Sequence, residues 1–191
     1  MTGVTNLNVE IGPKRLELLR ELLPRATIVG VLVNPTSPSL SEPFLRAVQA
    51  AAGAFGMQLH VLNASTDSDF DEVFSTLVQL RADALVIGPD TFFNTRTERL
   101  ASLSLRHMLP AIFQYRAFAA AGGLISYGTD ETEYYRLVGS YAGRILKGEN
   151  PGDLPVMQST KVELILNLVT AKSLGITVPL SLLGRADEVI E

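Results

Sequence analysis

The sequence predicts an α/β protein with an open, mainly parallel, twisted sheet and helices on both faces. Short β-branched runs at 27–33, 84–87 and 111–113 each lead into a polar, turn-forming cluster and then into a helical pattern. These runs lack polar alternation, as is typical of parallel strands buried on both faces. Strands and helices also alternate through short loops, which favours right-handed crossovers and an open sheet.

The first elements follow from apolar spacing and from turn residues. Helix 13–23 carries leucines at spacings of three and four, and Pro13 suits its first turn. Strand 27–33 follows it. Helix 40–55 repeats the helical spacing and ends at Gly56, a residue that tolerates the left-handed position after a helix. In helix 13–23, Lys14, Arg15 and Arg20 are interpreted as a solvated basic face.

The same alternation continues to residue 127 and then changes. A long amphipathic helix is predicted at 130–147, and a breaker cluster at 148–152 is interpreted as a linker. The strands predicted from short apolar runs are 57–62, 83–87, 109–113, 124–127, 155–157 and 161–167, and residues 187–190 end the chain without an assigned element. The helices predicted from apolar periodicity are one capped by Asp67 or Ser68 and ending at 80, and those at 95–107, 115–120, 170–174 and 180–183.

Composition excludes several classes of function. A net charge of −4 argues against a nucleic-acid partner, because phosphate binding normally needs a basic face. The absence of cysteine excludes disulfides and thiolate catalysis. No apolar run approaches the roughly 18 residues of a membrane span, so membrane insertion is not expected. The N-terminus has no signal-peptide pattern, which implies a cytoplasmic protein if Met1 is the true start.

The sequence also indicates neither a catalytic set, nor a metal site, nor a cofactor. Dinucleotide, P-loop and nucleophile-elbow motifs are absent. The two histidines, His60 and His107, lie on different elements and are interpreted as structural. An enzyme is therefore not expected.

Polar residues do follow the predicted strands, and in parallel α/β sheets ligands bind at that edge. Asn34 follows the first strand, Asp90 the third, Gln114 and Tyr115 the fourth, and Tyr127 lies in the fifth. Three roles stay open for Asp90, namely catalysis, ligand contact and a plain turn residue. Arg116 is either a ligand contact or half of a surface ion pair. Amides, hydroxyls and aromatic rings without a proton-shuttling pair favour binding a small molecule over transforming it.

Short motifs along the whole chain resemble one family. They are GVTN at 3–6, GPKRLELL at 12–19, VNPTSP at 33–38, PAI at 110–112, RAF at 116–118, AGGLISYG at 121–128, RILKG at 144–148 and LGRADEVI at 183–190. In this order they resemble the ABC transporter substrate-binding protein family related to tryptophan- and phenylalanine-binding periplasmic components.

The resemblance implies a type I periplasmic-binding-protein fold, in which two lobes joined by three crossovers close on a ligand. Members of the family usually carry a signal peptide and a first lobe before the GVTN segment. The resemblance therefore implies that this chain lacks the first lobe. Its parts would be a crossover at 1–12, a ligand-binding lobe at 13–128, a helix and linker of the missing lobe at 129–154, and a return crossing and cap at 155–191.

The resemblance also implies ligand contacts, partners and a location. Contacts carried over by matching position are Asn34, Thr36, Ser37, Asp90, Thr91, Gln114, Tyr115 and Tyr127. The ligand would be a small solute such as an aromatic or branched amino acid, the partner an ABC permease, and the location the periplasm. Two alternatives stay open, a cytosolic sensor domain of a regulator and a flavodoxin-like enzyme that uses Asp90.

Loss of a lobe would leave the apolar side of helix 130–147 without its usual cover. The residues on that side are Leu137, Val138, Tyr141 and Ile145. This side would then fold onto the remaining lobe, form a homodimer through the helix, or stay exposed as an adhesive patch. Half of a two-lobe site is also expected to bind ligand weakly.

Overall fold

The computed structural model describes residues 2–191 of the chain. Its strands are β1 (Gly3–Thr5), β2 (Ile28–Val33), β3 (Gln58–Asn63), β4 (Ala84–Ile87), β5 (Ala111–Phe113), β6 (Ile125–Thr129), β7 (Val156–Gln158), β8 (Val162–Asn167) and β9 (Glu188–Ile190). Its helices are α1 (Gly12–Leu22), α2 (Pro38–Phe55), α3 (Asp69–Gln79), α4 (Thr91–Asn94), α5 (Thr97–Arg106), α6 (Arg116–Ala120), α7 (Glu131–Leu146), α8 (Leu168–Ser173) and α9 (Leu180–Leu183), with a 3₁₀ turn at Pro151–Asp153.

Seven strands form one sheet in the order β3-β2-β4-β5-β6-β8-β9. All neighbours pair in parallel except β6 and β8, which are antiparallel. The predicted mainly parallel sheet is therefore confirmed. The antiparallel pair arises because the chain leaves the sheet after β6 and re-enters it in the opposite direction at β8.

Helices cover both faces of this sheet, as predicted. Val29, Val31 and Val33 of β2 pack in one buried cluster with α1 and α2. Leu32, between two of them, packs on the other face with residues of α3 and α5. Successive side chains of a strand point to opposite faces, so a continuous apolar strand supplies both clusters. The absence of polar alternation in β2 is explained by this double burial.

One short helix was not predicted. The helix expected at 95–107 is α5 (Thr97–Arg106), but a separate helix, α4, precedes it and begins at Thr91. The cause is Asp90, whose side chain accepts a hydrogen bond from Phe92 N at 2.8 Å and so caps a helix directly after β4.

The solvated basic face predicted for α1 is wrong at Arg15. This side chain has no exposed surface, whereas Lys14 pairs with Glu17 at the surface. Arg15 precedes Leu19 and Leu22 by four and seven residues, which places it on the buried stripe of the helix.

A second, two-stranded parallel sheet of β1 and β7 packs beside α7. It covers part of the apolar side of α7, since Tyr141 is buried and its hydroxyl donates to Pro155 O at 2.8 Å. Of the three outcomes expected for this side, packing against the rest of the chain applies at Tyr141, while Val138 is 38% exposed. Within residues 2–191 no helix combines the length and the apolar character needed to cross a bilayer.

Candidate functional site

A cavity of about 140 Å³ lies beyond the carboxyl ends of β4 and β5. We call it the polar cavity, and its lining consists mostly of amide, carboxylate and hydroxyl side chains. The residues that line it are Asn6, Asn8, Val9, Leu40, Pro89, Asp90, Thr91, Asn94, Gln114 and Tyr115. It occupies the edge at which ligands bind in parallel α/β sheets.

Asp90 lies on one wall of the polar cavity and is held by two hydrogen bonds to a single oxygen. Its Oδ1 accepts from Phe92 N at 2.8 Å and from Asn34 Nδ2 at 3.0 Å. Its other carboxylate oxygen accepts no hydrogen bond from residues 2–191. The carboxylate is therefore fixed in direction and keeps one oxygen for a further donor.

Asn34 supports this wall without lining the polar cavity. Its Oδ1 accepts from Thr36 N at 3.0 Å and from Thr36 Oγ1 at 2.7 Å. Both polar groups of the Asn34 side chain are thus occupied by the turn and by Asp90. Thr36 is exposed, and Ser37 is half-buried before α2.

Gln114, directly after β5, presents an unpaired acceptor. Its side chain is 3% exposed, and Nε2 donates to Asn94 Oδ1 at 2.6 Å. Its Oε1 is buried and has no hydrogen-bond partner among residues 2–191. Leaving a buried polar atom unpaired costs roughly 1–3 kcal/mol, so such an atom at a cavity calls for an explanation.

Asn8, in the segment between β1 and α1, presents the complementary donor. It is 2% exposed, and its Oδ1 accepts from Arg15 Nη2 at 3.2 Å and from Thr129 N at 3.1 Å. Its Nδ2 is buried, and in the described part of the chain nothing accepts a hydrogen bond from it. The lining of the polar cavity therefore includes two buried amide atoms without a partner among residues 2–191, one an acceptor and one a donor.

Arg15 lies behind Asn8 and joins it to β6. Its Nη1 donates to Asn8 O at 3.1 Å, and its Nε donates to Tyr127 O at 2.8 Å. None of the salt bridges found within residues 2–191 involves Arg15. Burial lowers the pKa of Arg15 to about 9, which still leaves the guanidinium charged at neutral pH.

Tyr115 closes one side of the polar cavity, next to the first turn of α7. Burial and, to a lesser extent, the nearby Glu131 carboxylate raise its pKa to about 12, against the opposing effect of the Asn8 side chain beside its hydroxyl. Burial likewise raises the pKa of Glu131. The hydroxyl of Tyr115 stays neutral at physiological pH and can serve as a donor or an acceptor.

Gly128 permits the close approach of β6 to this wall. A Cβ atom at this position would lie 1.9 Å from Gln114 O and 2.8 Å from Asn8 Oδ1. No side chain fits at either distance. Gly128, the last glycine of the AGGLISYG motif, is therefore required by close packing against residues distant in the sequence.

The structure brings together half of the predicted site residues. Asp90, Thr91, Gln114 and Tyr115 line the polar cavity, and Asn34 is bonded to Asp90. Thr36 and Ser37 lie outside the lining. The Tyr127 side chain packs against the core cluster beneath α1 and α2, and only its carbonyl, bonded to Arg15, is linked to this region.

Sequence reasoning missed Asn6, Asn8, Asn94 and Arg15. The asparagines carry no periodic signal, whereas the spacing of Arg15 to Leu19 and Leu22 could have indicated its burial. Arg116 forms a surface ion pair with Glu188, with Nε at 2.6 Å from the carboxylate, outside the polar cavity. Among residues 2–191, no three His, Asp or Glu side chains converge to hold a metal ion.

A mainly parallel α/β sheet with a polar cavity beyond its strand ends is the arrangement of an α/β ligand-binding protein. The chain matches the family described as ABC transporter substrate binding protein over residues 1–190. It therefore belongs to this family, as the sequence motifs predicted.

Individual relatives agree with this assignment. The chain is 27% identical over 161 residues to a tyrosine-binding protein of Clostridioides difficile (strain R20291). The aligned region covers 84% of this chain and 46% of the relative. It thus spans about half the length of this curated relative.

Two solved structures have the same fold. One is an ABC domain in complex with L-Trp from Streptococcus pneumonia, with a TM-score of 0.86 and 24% identity over 99% of this chain and 64% of the other. The other is a ligand-free, open substrate-binding protein with adhesive properties from Clostridium difficile, with a TM-score of 0.67 and 23% identity over 99% and 62% of the two chains.

Proposed function

We propose that this chain is the part of an ABC-importer solute-binding protein that holds a small molecule, an amino acid, in the polar cavity. The observation that carries the proposal is the pair of buried, unpaired amide atoms, Gln114 Oε1 and Asn8 Nδ2, at one cavity. A polar ligand that supplies a donor and an acceptor would remove the cost of leaving both atoms unpaired.

The acceptors of the polar cavity suit an ammonium group. Asp90 contributes a buried carboxylate with one oxygen unused by residues 2–191, and Gln114 contributes its unpaired carbonyl oxygen. The relatives named for tyrosine and crystallised with L-Trp direct the proposal to an aromatic amino acid. Among the residues predicted from sequence, Asp90, Thr91, Gln114 and Tyr115 are proposed to contact it, with Asn34 holding Asp90.

The ligand is proposed to leave unchanged. The polar cavity offers amides, which do not titrate, a phenol whose raised pKa keeps it neutral near pH 7, and one carboxylate without a second acid or a base beside it in the lining. We therefore infer a binding component that delivers solute to an ABC permease from the periplasm. Membership of the substrate-binding family supports this role over that of a regulator.

The polar cavity is small for a complete site. At about 140 Å³ it lies below the roughly 300–1,000 Å³ of typical ligand pockets. We propose that residues 13–128 and 155–191 form one wall of a two-lobe site, that 1–12 is a crossover, and that 129–154 belongs with a second lobe. A single wall encloses little of the ligand, so weak binding is expected.

A titration of the 191-residue chain with single amino acids, followed by NMR chemical shifts, tests the proposal and detects weak binding. We expect saturable shifts for aromatic amino acids, with the largest changes at Asn8, Asp90 and Gln114. Gln114→Leu removes the proposed acceptor and is expected to abolish these shifts, whereas Gln58→Ala, at an exposed position of β3, should not. Absence of saturable shifts for every amino acid would refute the proposed function.

A further inference from the structure

Arg15 is a fully buried cation that forms its hydrogen bonds with neutral oxygens only. We propose that Arg15 is a positioning residue which turns the Asn8 amide toward the polar cavity, so that Asn8 Nδ2 binds the carboxylate of the ligand. This inference rests on the proposed function and specifies which end of the amino acid lies against which wall.

Arg15 holds Asn8 in place through two hydrogen bonds. Two guanidinium nitrogens donate to one residue, Nη1 to the carbonyl oxygen at 3.1 Å and Nη2 to Oδ1 at 3.2 Å. The third, Nε, donates to Tyr127 O at 2.8 Å in β6. The planar guanidinium thereby fixes both the backbone and the side chain of Asn8 relative to the sheet.

The orientation of the Asn8 side-chain amide is fixed by two hydrogen-bond donors. Asn8 Oδ1 accepts from Arg15 and also from Thr129 N at 3.1 Å. Rotating the amide by half a turn would place its NH₂ group against two donors, which is unfavourable. Two independent donors therefore hold Nδ2 away from Arg15, among the residues that line the polar cavity and beside the Tyr115 hydroxyl.

The charge of Arg15 makes the Asn8 wall of the polar cavity electropositive. Within residues 2–191 no Asp or Glu pairs with Arg15, so its charge is balanced neither by a neighbour nor by water. A charge donating to Oδ1 polarises the amide and strengthens Nδ2 as a donor. The Asn8 wall thus favours an anionic group, and the Asp90 wall favours a cationic one. A zwitterionic amino acid matches both walls in one orientation.

The decisive variant is Asn8→Asp, which changes one atom of the side chain. A carboxylate at position 8 would still accept from Arg15 and Thr129, and it would form a salt bridge with the guanidinium. The variant is therefore expected to fold at least as stably as the wild type. It lacks the Nδ2 donor and neutralises the local charge, so a ligand carboxylate would be repelled.

The experiment compares L-tyrosine with tyramine, which lacks the carboxylate, in NMR titrations of the wild type, Asn8→Asp and Asn63→Asp. Asn63→Asp has the same charge change at an exposed position at the end of β3. We expect the wild type and Asn63→Asp to prefer L-tyrosine by roughly tenfold or more, the range of one charge-assisted hydrogen bond. Asn8→Asp should lose this preference through weaker binding of L-tyrosine, with tyramine binding as well as before.

Each outcome decides the inference. Asn8→Asp that retains the preference would overturn it while the proposed function stands. A wild type that binds L-tyrosine and tyramine equally would overturn it without any variant, which covers the case in which Asn8→Asp fails to fold. A wild type that binds no amino acid would refute the proposed function and this inference together.

Discussion

Adding one methyl group at Gly128 is expected to destabilise the protein and to disrupt the polar cavity. The Cβ of Gly128→Ala would lie 1.9 Å from Gln114 O and 2.8 Å from Asn8 Oδ1. The first contact is with a backbone atom, so no side-chain rotation can relieve it. Strand β6 must move away from Gln114 by more than 1 Å for ordinary van der Waals contact at about 3.5 Å.

The magnitude follows from what that movement breaks. Overpacking a well-packed region costs typically about 1–3 kcal/mol. Moving β6 also weakens the bond from Thr129 N to Asn8 Oδ1, worth roughly 1 kcal/mol. We therefore expect the free energy of unfolding to fall by roughly 2–4 kcal/mol, and ligand binding to weaken because both unpaired amide atoms are displaced.

Urea unfolding followed by circular dichroism measures the change, with Gly139→Ala as the control. Gly139 lies inside α7, and a Cβ there would meet no atom within 4 Å. The same substitution should stabilise at this position by about 0.5–1 kcal/mol, because alanine is the better helix former. A Gly128→Ala protein as stable as the wild type would refute the steric reasoning.

Three further outcomes are expected. Asp90→Ala should lower the free energy of unfolding in urea by roughly 2–4 kcal/mol, because a helix cap is lost and the Asn34 amide is left unpaired. Asp71→Ala, at an exposed position, should change it by less than about 1 kcal/mol, and equal effects would contradict the role of the cap. The raised pKa of Tyr115 contributes stability that is complete below pH 10.0, the ordinary pKa, and is lost as the pH rises toward about 12. In urea unfolding, Tyr115→Phe should therefore lose less stability than the wild type between about pH 9 and pH 11. Identical losses would contradict a raised pKa of Tyr115. Val138→Asp on α7 should abolish concentration-dependent self-association in sedimentation experiments, whereas Val78→Asp, at an even more exposed valine on α3, should not. A monomeric wild type would contradict dimerisation through α7.

The order of strands and helices could be predicted from sequence because local patterns determine it. The run 27–33 is apolar at every position except Thr27 and Gly30, and it forms a strand buried on both faces. Asp90 shows where local patterns fail. A Pro-Asp pair predicts a turn, but the carboxylate also caps a short helix and bonds Asn34, which lies 56 residues away.

The polar cavity could be predicted only in part, for a similar reason. Gln114 and Asp90 were found because they follow strands of a parallel sheet. Asn8 and Arg15 were missed because their roles depend on Tyr127 and Thr129, which lie more than 100 residues away. Burying a charged side chain is costly, so an arginine among leucines is usually solvated, and only contacts between distant segments reverse that preference.

The antiparallel pair of β6 and β8 has a consequence for how such a chain can change during evolution. The chain leaves the main sheet at Asp130 and returns at Lys161, where Asp130 N donates to Lys161 O at 3.0 Å and the two side chains form an ion pair. The intervening thirty residues thus behave as a cassette whose ends already meet. Replacing that cassette with a tight hairpin turn would preserve every strand pairing of the seven-stranded sheet, so exchanging it is an economical route to a different partner on the same scaffold.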